Sequence, residues 1–535
     1  MAALPRVVLG LCLLSLAPVA VAQLKARPGD NLAALVRQVP EGGTLELAAG
    51  EYRLLASLHL NQSISLVGAG RDRTRIVSSA PGSLMRFDGT GRLVIKGISF
   101  VHQGQLPAEV LVIEGGLFDI QDARFSGGAF DGGDSLGGDG LWVRGGARGT
   151  IVGSEFSGNA LYGLEVADQA QVLLENNRFG DNGHAGLAVF DAGGGRALRN
   201  VLEQNRRYGA IFADNSFMVL QESVVQGNRV GLYYRGAAGG VARRNTVQNN
   251  RSSGIEVDEQ AIPRLESNSI RGNQASGIAY EGMAGGVALG NLVEENRNHG
   301  VQVALQAAPA VQNNLLRRNR GAGLLVSGHS ALVVRGNTVE DNGTSGIVVA
   351  ERAEPTLEDN TIRANQASGI AFQQNAAGVA RRNLIEGNRE HGIKVLDQAS
   401  PRLEDNIIRG NALEPIFNRP RTPGAPHGGW ASGHMACDLG LWLLGQPLQG
   451  FGQRQVPALV AQLQVVGDGQ VRRDRPGIYA AIGLERQAAA DLQARAVHEL
   501  NEEGRGVGHP RSLLADHHPA LAELDVGGEV LRSRS

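Results

Sequence analysis

The sequence predicts an all-β fold: a right-handed single-stranded parallel β-helix, about 23 residues per coil, with a short N-terminal capping helix. Three observations predict it. A glycine followed by an apolar residue recurs twelve times between Gly140 and Gly392, and ten of the eleven spacings are 23 residues while one is 22. Apolar or aromatic residues stand one, three and sixteen positions after each of these glycines. An asparagine stands nineteen positions after every one of them.

The apolar positions indicate short strands, because residues that alternate with polar ones mark a half-buried strand. Strands at a fixed interval without hairpin spacing predict coils that stack in parallel, each burying its apolar residues on its neighbours. Eleven positions after the glycine, bulky and small residues mostly alternate, as in Leu174, Ala197 and Leu220. Such layers can interdigitate, and the alternation indicates a 46-residue unit of two coils.

The asparagines predict a ladder inside a turn. A second set stands fourteen positions after the glycine in ten of twelve coils, with Ser154 and Ser223 as the exceptions. A stacked asparagine can donate and accept hydrogen bonds along the stack and tolerates left-handed turn geometry. Sugar binding is the functional alternative for so many asparagines, and we expect the structural role.

Residues 1–22 predict a secretory signal peptide. Arg6 supplies the positive charge, Val7–Leu16 is apolar, and Ala20-Val21-Ala22 is a small-x-small cleavage site. We therefore expect a periplasmic or secreted protein, cleaved near Ala22, with no membrane insertion after cleavage. The 51 basic and 53 acidic residues give a net charge of −2, which argues against a nucleic-acid partner. Cleavage removes one of only two cysteines, so disulfides do not hold the fold together.

The rest of the chain divides into three parts. Residues 23–139 are predicted to form the N-terminal cap and early irregular coils, with Asp30 as the N-cap of a helix over Asn31–Val39. Residues 140–417 are the regular coils. Residues 418–535 lose the repeat. A poorly ordered extension and a sequence that is not genuine, such as a shifted reading frame, are both preferred there to a second folded domain.

The repeat text resembles a known group of proteins. Units such as "GIVVAERAEPTLEDNTIRAN" at 346–365 and "GIKVLDQASPRLEDNIIRGN" at 392–411 resemble the pectate-lyase-like superfamily of parallel β-helix proteins, in its carbohydrate-binding and sugar-hydrolase repeat group. The resemblance covers about residues 40–412. It implies the fold but no single reaction, because the group includes lyases, hydrolases, epimerases, tailspikes and binding proteins. The polygalacturonase set Asn-Thr-Asp, Asp-Asp and Gly-His-Gly and the alginate-epimerase motif Asp-Pro-His are absent, so no catalytic residue is carried over.

One cluster predicts catalysis on a uronate polymer. Its members stand four or five positions after the repeat glycine in consecutive coils, with one histidine expected beside them: Asp168, Asp191, Asp214, Arg235, Asp258 and His184. Carboxylates about 5 Å apart repel, so they must reach water, share protons or bind a cation. A cation or Arg235 would neutralise the substrate carboxylate and acidify the neighbouring C–H. Hydrolysis also remains open on spacing, and the simpler alternative is that these aspartates cap strand ends at a solvated turn.

A long turn supplies the predicted metal ligands. The turn between Phe125 and Gly140 is about eight residues longer than its counterparts and contains Asp131, Asp134 and Asp139. These carboxylates could hold Ca²⁺ or contact substrate. A solvated glycine-rich loop is the alternative. Ca²⁺ is the one cofactor that these residues suggest.

Three functions follow from these features. The first is an exported protein that binds an acidic cell-envelope or extracellular polysaccharide along its coils. The second is a polysaccharide lyase, epimerase or glycoside hydrolase acting on uronate-containing polymers. The third is a structural or interaction scaffold of the envelope. The missing motifs and the uniform coils favour binding or a scaffold, and the irregular stretch from Phe125 to Asp258 is where a site is expected.

Overall fold

The computed structural model describes residues 23–132 and 137–420, and the predicted signal peptide and the extension beyond Pro420 lie outside that range. Each coil contributes one strand to each of three parallel sheets, which the chain visits in the order A, B, C. Sheet A has 17 strands, and sheets B and C have 16 each. The predicted right-handed parallel β-helix is confirmed as the fold class.

The strand bounds are as follows. Sheet A comprises Gln23–Ala26, Gly43–Leu47, Ile64–Gly68, Arg92–Lys96, Leu117–Gln121, Arg148–Val152, Gln171–Glu175, Gly194–Leu198, Phe217–Gln221, Gly239–Arg243, Arg264–Glu266, Val287–Leu289, Ala310–Gln312, Val333–Arg335, Thr356–Glu358, Val379–Arg381 and Arg402–Glu404. Sheet B comprises Gly50–Leu54, Thr74–Ser78, Ser99–His102, Arg124–Ser126, Glu155–Ser157, Arg178–Gly180, Val201–Glu203, Val224–Gln226, Thr246–Gln248, Ser269–Arg271, Leu292–Glu294, Leu315–Arg317, Thr338–Glu340, Thr361–Arg363, Leu384–Glu386 and Ile407–Arg409. Sheet C comprises Leu58–Leu60, Gly82–Phe87, Ala108–Glu114, Leu141–Arg144, Tyr162–Val166, Ala185–Val189, Tyr208–Phe212, Val230–Tyr234, Ile255–Val257, Ile278–Tyr280, Val301–Val303, Leu324–Val326, Ile347–Val349, Ile370–Phe372, Ile393–Asp397 and Ile416–Pro420.

Coil length becomes constant only after the long turn. Equivalent positions in the first five strands of sheet C are Leu58, Met85, Leu111, Leu141 and Leu164. The intervals between them are 27, 26, 30 and 23 residues, and the 30-residue coil contains the long turn. The early coils therefore share the three sheets of the regular ones but differ in the length of their turns.

The core is a set of apolar columns that run through the coils. The predicted alternation is confirmed inside sheet A, where Leu174, Ala197 and Leu220 are all buried. On sheet B, Phe125 stacks on Phe156 with ring centroids 5.2 Å apart. Each column is shielded by the coils above and below it, so burial depends on stacking rather than on any single coil.

The asparagine ladder is confirmed, and there are two of them. Asn319 shows the pattern: its Nδ2 donates to Val293 O and to Asn342 Oδ1, both at 3.1 Å. Its own Oδ1 accepts from Asn296 N at 3.1 Å and from Asn296 Nδ2 at 2.9 Å. The second ladder runs through the turn between sheets A and B, for example from Asn314 to Asn337. Each amide thus satisfies buried groups of two neighbouring coils.

The N-terminal helix spans Leu32–Val36. Its N-cap is Asn31, whose side chain accepts from Ala34 N at 3.0 Å. The prediction that Asp30 caps the helix is wrong, because its carboxylate instead accepts from Arg27 N at 2.7 Å. Closure of the solenoid end by this helix stays a prediction. Within the described range, no helix combines the length and the apolar character that a membrane span requires.

Candidate functional site

The three predicted aspartates stack at the turn that follows sheet C. Asp168, Asp191 and Asp214 have φ angles of 56°, 54° and 58°. The carboxylate of Asp191 accepts from Asp168 N at 3.1 Å, and that of Asp214 accepts from Asp191 N at 3.2 Å. The carboxylates therefore bind backbone amides of the preceding coil. A catalytic role for them stays a prediction.

The next two predicted residues do not join that stack through their side chains. Arg235 has a side chain only 12% exposed, and its Nη2 donates to Glu259 Oε1 at 2.6 Å. Asp258 Oδ1 accepts from Glu259 N at 2.6 Å. The charge of Arg235 is thus balanced by Glu259, a residue that the sequence pattern did not single out.

His184 lies at the opposite end of sheet C. The strand Ala185–Val189 separates it from Asp191, so the expectation that it sits beside the aspartates is wrong. A chain that crosses a sheet in extended form carries these two residues to different edges. Their roles therefore cannot be combined in one site.

The environment of His184 keeps its imidazole neutral. Burial, together with the smaller effect of the nearby positive charge of Arg207, lowers its pKa to about 3. Arg207 Nη1 lies 3.2 Å from His184 Nε2. Because a guanidinium only donates, Nε2 accepts and the ring proton resides on Nδ1. The lone pair that would take a substrate proton is therefore already engaged.

Aromatic rings surround His184 on the outer surface of sheet C. We call Tyr162, His184, Phe190, Tyr208 and Tyr233 the aromatic cluster. Tyr162 meets the His184 ring edge-on at a centroid distance of 5.2 Å, and Tyr208 stacks on Tyr233 at 4.9 Å. Tyr162 is almost fully buried, whereas Tyr233 is partly exposed. Tyr162, Phe190 and Tyr208 are buried, so His184 and Tyr233 are the members of the cluster that are partly exposed.

Three carboxyl groups are buried next to the cluster. Glu109 Oε2 accepts from Asp139 N at 2.7 Å, and Asp139 Oδ1 accepts from Tyr162 N at 3.1 Å. Burial raises the pKa of Asp139 well above its ordinary value, and the negative charges of Glu109 and Glu165 raise it further. Asp139 and Glu165 also share a side-chain hydrogen bond, which requires that one of them carry a proton.

The structure describes two of the three predicted Ca²⁺ ligands. Asp131 is exposed and Asp139 is buried, while Asp134 falls in the undescribed stretch 133–136. Among residues 23–132 and 137–420, no three histidine, cysteine or acidic side chains are grouped as metal ligands. A Ca²⁺ site formed with Asp134 stays a prediction.

A line of arginines runs along the turn between sheets B and C. Each one directly follows an asparagine of the ladder in that turn, and all six are exposed. We call these residues the arginine stripe: Arg206, Arg229, Arg251, Arg297, Arg320 and Arg389. The ladder fixes the backbone at each position, as where Arg320 N donates to Asn296 O at 3.0 Å. With a rise of about 4.8 Å per coil, the stripe extends over roughly 38 Å.

The stripe differs from other arginines of the coils in forming no close ion pair, although the positive charge of Arg229 acts on the buried carboxyl of Glu256. On sheet B, Arg178 bonds to Glu203 at 2.8 Å and to Glu155 at 3.3 Å. By contrast, no ion pair is formed by any stripe arginine with a described residue. Arg251 instead donates from Nη2 to Asn205 O at 3.1 Å and to Arg206 O at 3.2 Å. A protein with a net charge of −2 thus carries one row of exposed positive charge without close ion pairs.

The sequence contains a signal for the stripe, a dipeptide that the repeat pattern above did not single out. The dipeptide Asn-Arg recurs at 205, 228, 250, 296, 319 and 388 at the position of this ladder, and it also occurs at 177 and 418. The buried carboxyl groups gave no such signal, because Glu109 and Asp139 belong to coils of unequal length. Their phase relative to Glu165 cannot be counted from a 23-residue period.

A match to a family model shows which family this protein belongs to. The model described as "Right handed beta helix region" matches residues 77–239, 214–316 and 306–417, which together cover more than half of the chain. The protein belongs to the right-handed β-helix family. This match confirms the resemblance seen in the repeat text. No curated protein matches the sequence.

Solved structures of this right-handed β-helix type are similar in fold. The A-module of mannuronan C-5 epimerase AlgE6 from Azotobacter vinelandii has 16% identity and a TM-score of 0.31, covering 73% of this chain and 94% of that chain. The periplasmic alginate epimerase AlgG has 12% identity and a TM-score of 0.33, covering 72% and 83%. The catalytic unit of the GH87 alpha-1,3-glucanase from Streptomyces thermodiastaticus has 13% identity and a TM-score of 0.31, covering 76% and 69%. These likenesses concern the fold alone.

Proposed function

We propose that this protein binds an acidic polysaccharide along the arginine stripe. The observation that carries the proposal is a row of six exposed arginines, none of which forms an ion pair with a described residue. A guanidinium offers a planar set of donors that matches a carboxylate or sulfate group. No stripe guanidinium forms an ion pair with a described residue, so an anionic ligand can pair with the stripe without displacing one, although Arg251 already donates to two backbone carbonyls.

The spacing of the stripe suits a linear polymer. Arg206, Arg229 and Arg251 belong to three consecutive coils, and Arg297 and Arg320 to two more. Consecutive coils are about 4.8 Å apart, a distance comparable to the advance per sugar in an extended pyranose chain. Acidic groups on successive sugars can therefore meet arginines on successive coils.

The aromatic cluster adjoins one end of the stripe. Arg207, next to stripe residue Arg206, contacts His184, and Tyr233 offers a partly exposed ring nearby. The apolar face of a sugar ring packs well against such an aromatic edge, and sites of this kind combine apolar walls with a few oriented polar groups. Sugars bound at this end would gain packing in addition to charge pairing.

Export would place the protein where such polymers occur. Residues 1–22 have the pattern of a signal peptide, which supports a periplasmic or secreted location. The ligand would then be a cell-envelope or extracellular polysaccharide. A uronate lyase or hydrolase acting at Asp168–Asp258 and an envelope scaffold are the competing functions.

Calorimetric titration with polygalacturonate, alginate and neutral dextran tests the proposal. The double variant Arg297→Ala/Arg320→Ala removes two neighbouring stripe charges. At about 1 kcal/mol per exposed pair, it should weaken binding of the acidic polymers by about 2 kcal/mol, or roughly 30-fold. Dextran should bind neither protein.

The matched control is Arg53→Ala/Arg402→Ala. These side chains are 72% and 77% exposed and lie off the stripe, so the pair lowers the net charge equally. Its affinity should stay within about twofold of wild type. Equal losses in both double variants would show that net charge alone matters. Release of unsaturated sugars or reducing ends from the same polymers would instead favour the enzyme.

A further inference from the structure

The arginine stripe has a gap at Gln274. Between Arg251 and Arg297, the turn that joins sheets B and C holds Gln274, an exposed residue that directly follows a ladder asparagine. Gln274 N donates to Asn250 O at 2.9 Å, the same kind of hydrogen bond that holds the backbone of Arg297. An uncharged carboxamide therefore occupies the position that an arginine has in the neighbouring coils.

The guanidinium of Arg251 does not close this gap. Its Nη2 donates to Asn205 O and Arg206 O, which belong to the coil two before its own. The charge of Arg251 thus lies at the backbone of Arg206, on the side away from Gln274. The stripe charges nearest the gap therefore form two groups. We call Arg206, Arg229 and Arg251 the first block and Arg297 and Arg320 the second block.

A carboxyl group of sheet C is held close to the gap. Glu256 Oε1 accepts from Ser252 Oγ at 3.4 Å, and Ser252 directly follows Arg251. The carbonyl of Ser252 accepts from Ala275 N at 3.1 Å, and Ala275 directly follows Gln274. Glu256 is therefore bound to the part of the turn that borders Gln274.

Three carboxyl groups of sheet C act on one another in these two coils. Burial raises the pKa of Glu281, and the negative charges of Asp258 and Glu256 raise it further. Burial is also the largest cause of the raised pKa of Glu256, to which the negative charge of Asp258 adds. An acidic sugar at Gln274 would bring one more negative charge to this group, and like charges at close range are unfavourable. An uncharged sugar at that position avoids the repulsion.

We propose that the stripe binds a polysaccharide in which blocks of acidic sugars are separated by an uncharged sugar, and that the uncharged sugar lies at Gln274. This polymer is a specific form of the acidic polysaccharide in the proposed function, on which the inference rests. With about 4.8 Å per coil, six sugars place three acidic groups at the first block and two at the second block. The carboxamide of Gln274 can donate to an ester carbonyl and accept from a hydroxyl, which suits the uncharged sugar between them.

Calorimetric titration of the full chain with hexagalacturonates tests the position of the uncharged sugar. One hexamer is fully acidic, and each of six others carries a methyl ester on a different sugar. Wild type should bind one of the hexamers esterified on the third or the fourth sugar, according to the direction of the chain, about fivefold more tightly than the fully acidic one. An ester at an arginine removes a charge pair and should weaken binding about fivefold.

The variant Gln274→Arg fills the gap in the stripe. It should bind the fully acidic hexamer about fivefold more tightly than wild type does, and it should lose the preference for the ester. The matched control is Gln306→Arg, which adds the same charge at an exposed position in the turn between sheets C and A. This control should keep the wild-type order of affinities. Circular dichroism should show that both variants keep the wild-type fold.

Two outcomes would overturn this inference alone. The first is hexamer binding that Arg297→Ala/Arg320→Ala weakens but that does not depend on the position of the ester. The second is a Gln274→Arg variant that keeps the wild-type preference for the esterified hexamer. Absence of binding by every hexamer would instead overturn the proposed function, and this inference with it.

Discussion

Removal of one ladder asparagine should destabilise the coils far more than a typical substitution. Asn319 is buried, and its side chain takes part in four hydrogen bonds, to Val293, to Asn342 and two to Asn296. At about 1 kcal/mol net for each bond, Asn319→Ala should cost about 4 kcal/mol. The buried amide of Asn296 and the carbonyl of Val293 would also lose a partner, which adds about 1–2 kcal/mol.

Urea denaturation followed by circular dichroism measures this loss. The matched control is Asn298→Ala, an exposed asparagine whose side chain forms no hydrogen bond with any described residue. It should change the free energy of unfolding by less than about 0.5 kcal/mol. Hydrogen exchange should show faster exchange in the coils next to Asn319, since a solenoid is coupled mainly to its nearest neighbours. A loss in Asn319→Ala no larger than that of the control would refute the structural role of the ladder.

Three further predictions follow from the buried groups on and inside sheet C. The pKa of Asp139 is raised, so the folded protein keeps a proton on this carboxyl that the unfolded chain has already released, and stability should fall as pH rises above the ordinary carboxyl range. In thermal melts across pH, Asp139→Asn should flatten this fall, and Glu165→Gln should act in the same direction. Because burial is the larger cause of the low pKa of His184, Arg207→Gln should raise that pKa only in part, and an NMR titration that reaches the ordinary histidine value would contradict this. The hydroxyl of Tyr234 is buried and has no hydrogen-bond partner in the described range, so Tyr234→Phe should leave stability unchanged or raise it by about 1 kcal/mol, as a thermal melt would show.

The fold could be predicted from the sequence because every coil repeats the same physical requirement. An apolar residue in the column of Leu316 must meet the same kind of residue one coil on, so selection for packing leaves a period that can be counted. The asparagine ladder can be predicted from the sequence for the same reason, since Asn319 and Asn342, one coil apart, hydrogen-bond directly to each other. Residues that stand one period apart in the sequence are therefore in contact in the structure.

The candidate site was harder to predict from the sequence, because its residues do not recur with the 23-residue period. Asp139 and Glu165 meet across a coil that contains the long turn, and the inserted residues shift their phase. Counting positions within one coil also misplaced His184, since residues at the two ends of a strand are close in sequence but lie at opposite edges of the sheet. The stripe did carry a repeated dipeptide, but interpreting it required knowing that Asn319 points inward and that Arg320 is left exposed.

A crystal structure with a bound oligogalacturonate of about six residues tests the central claim most directly, since the part of the stripe from Arg206 to Arg320 spans six coils. The account predicts a sugar chain that lies along the arginine stripe, with carboxylates paired to Arg297 and Arg320. A chain bound at the Asp168–Asp191–Asp214 turn, or on any other surface away from the stripe, would contradict it.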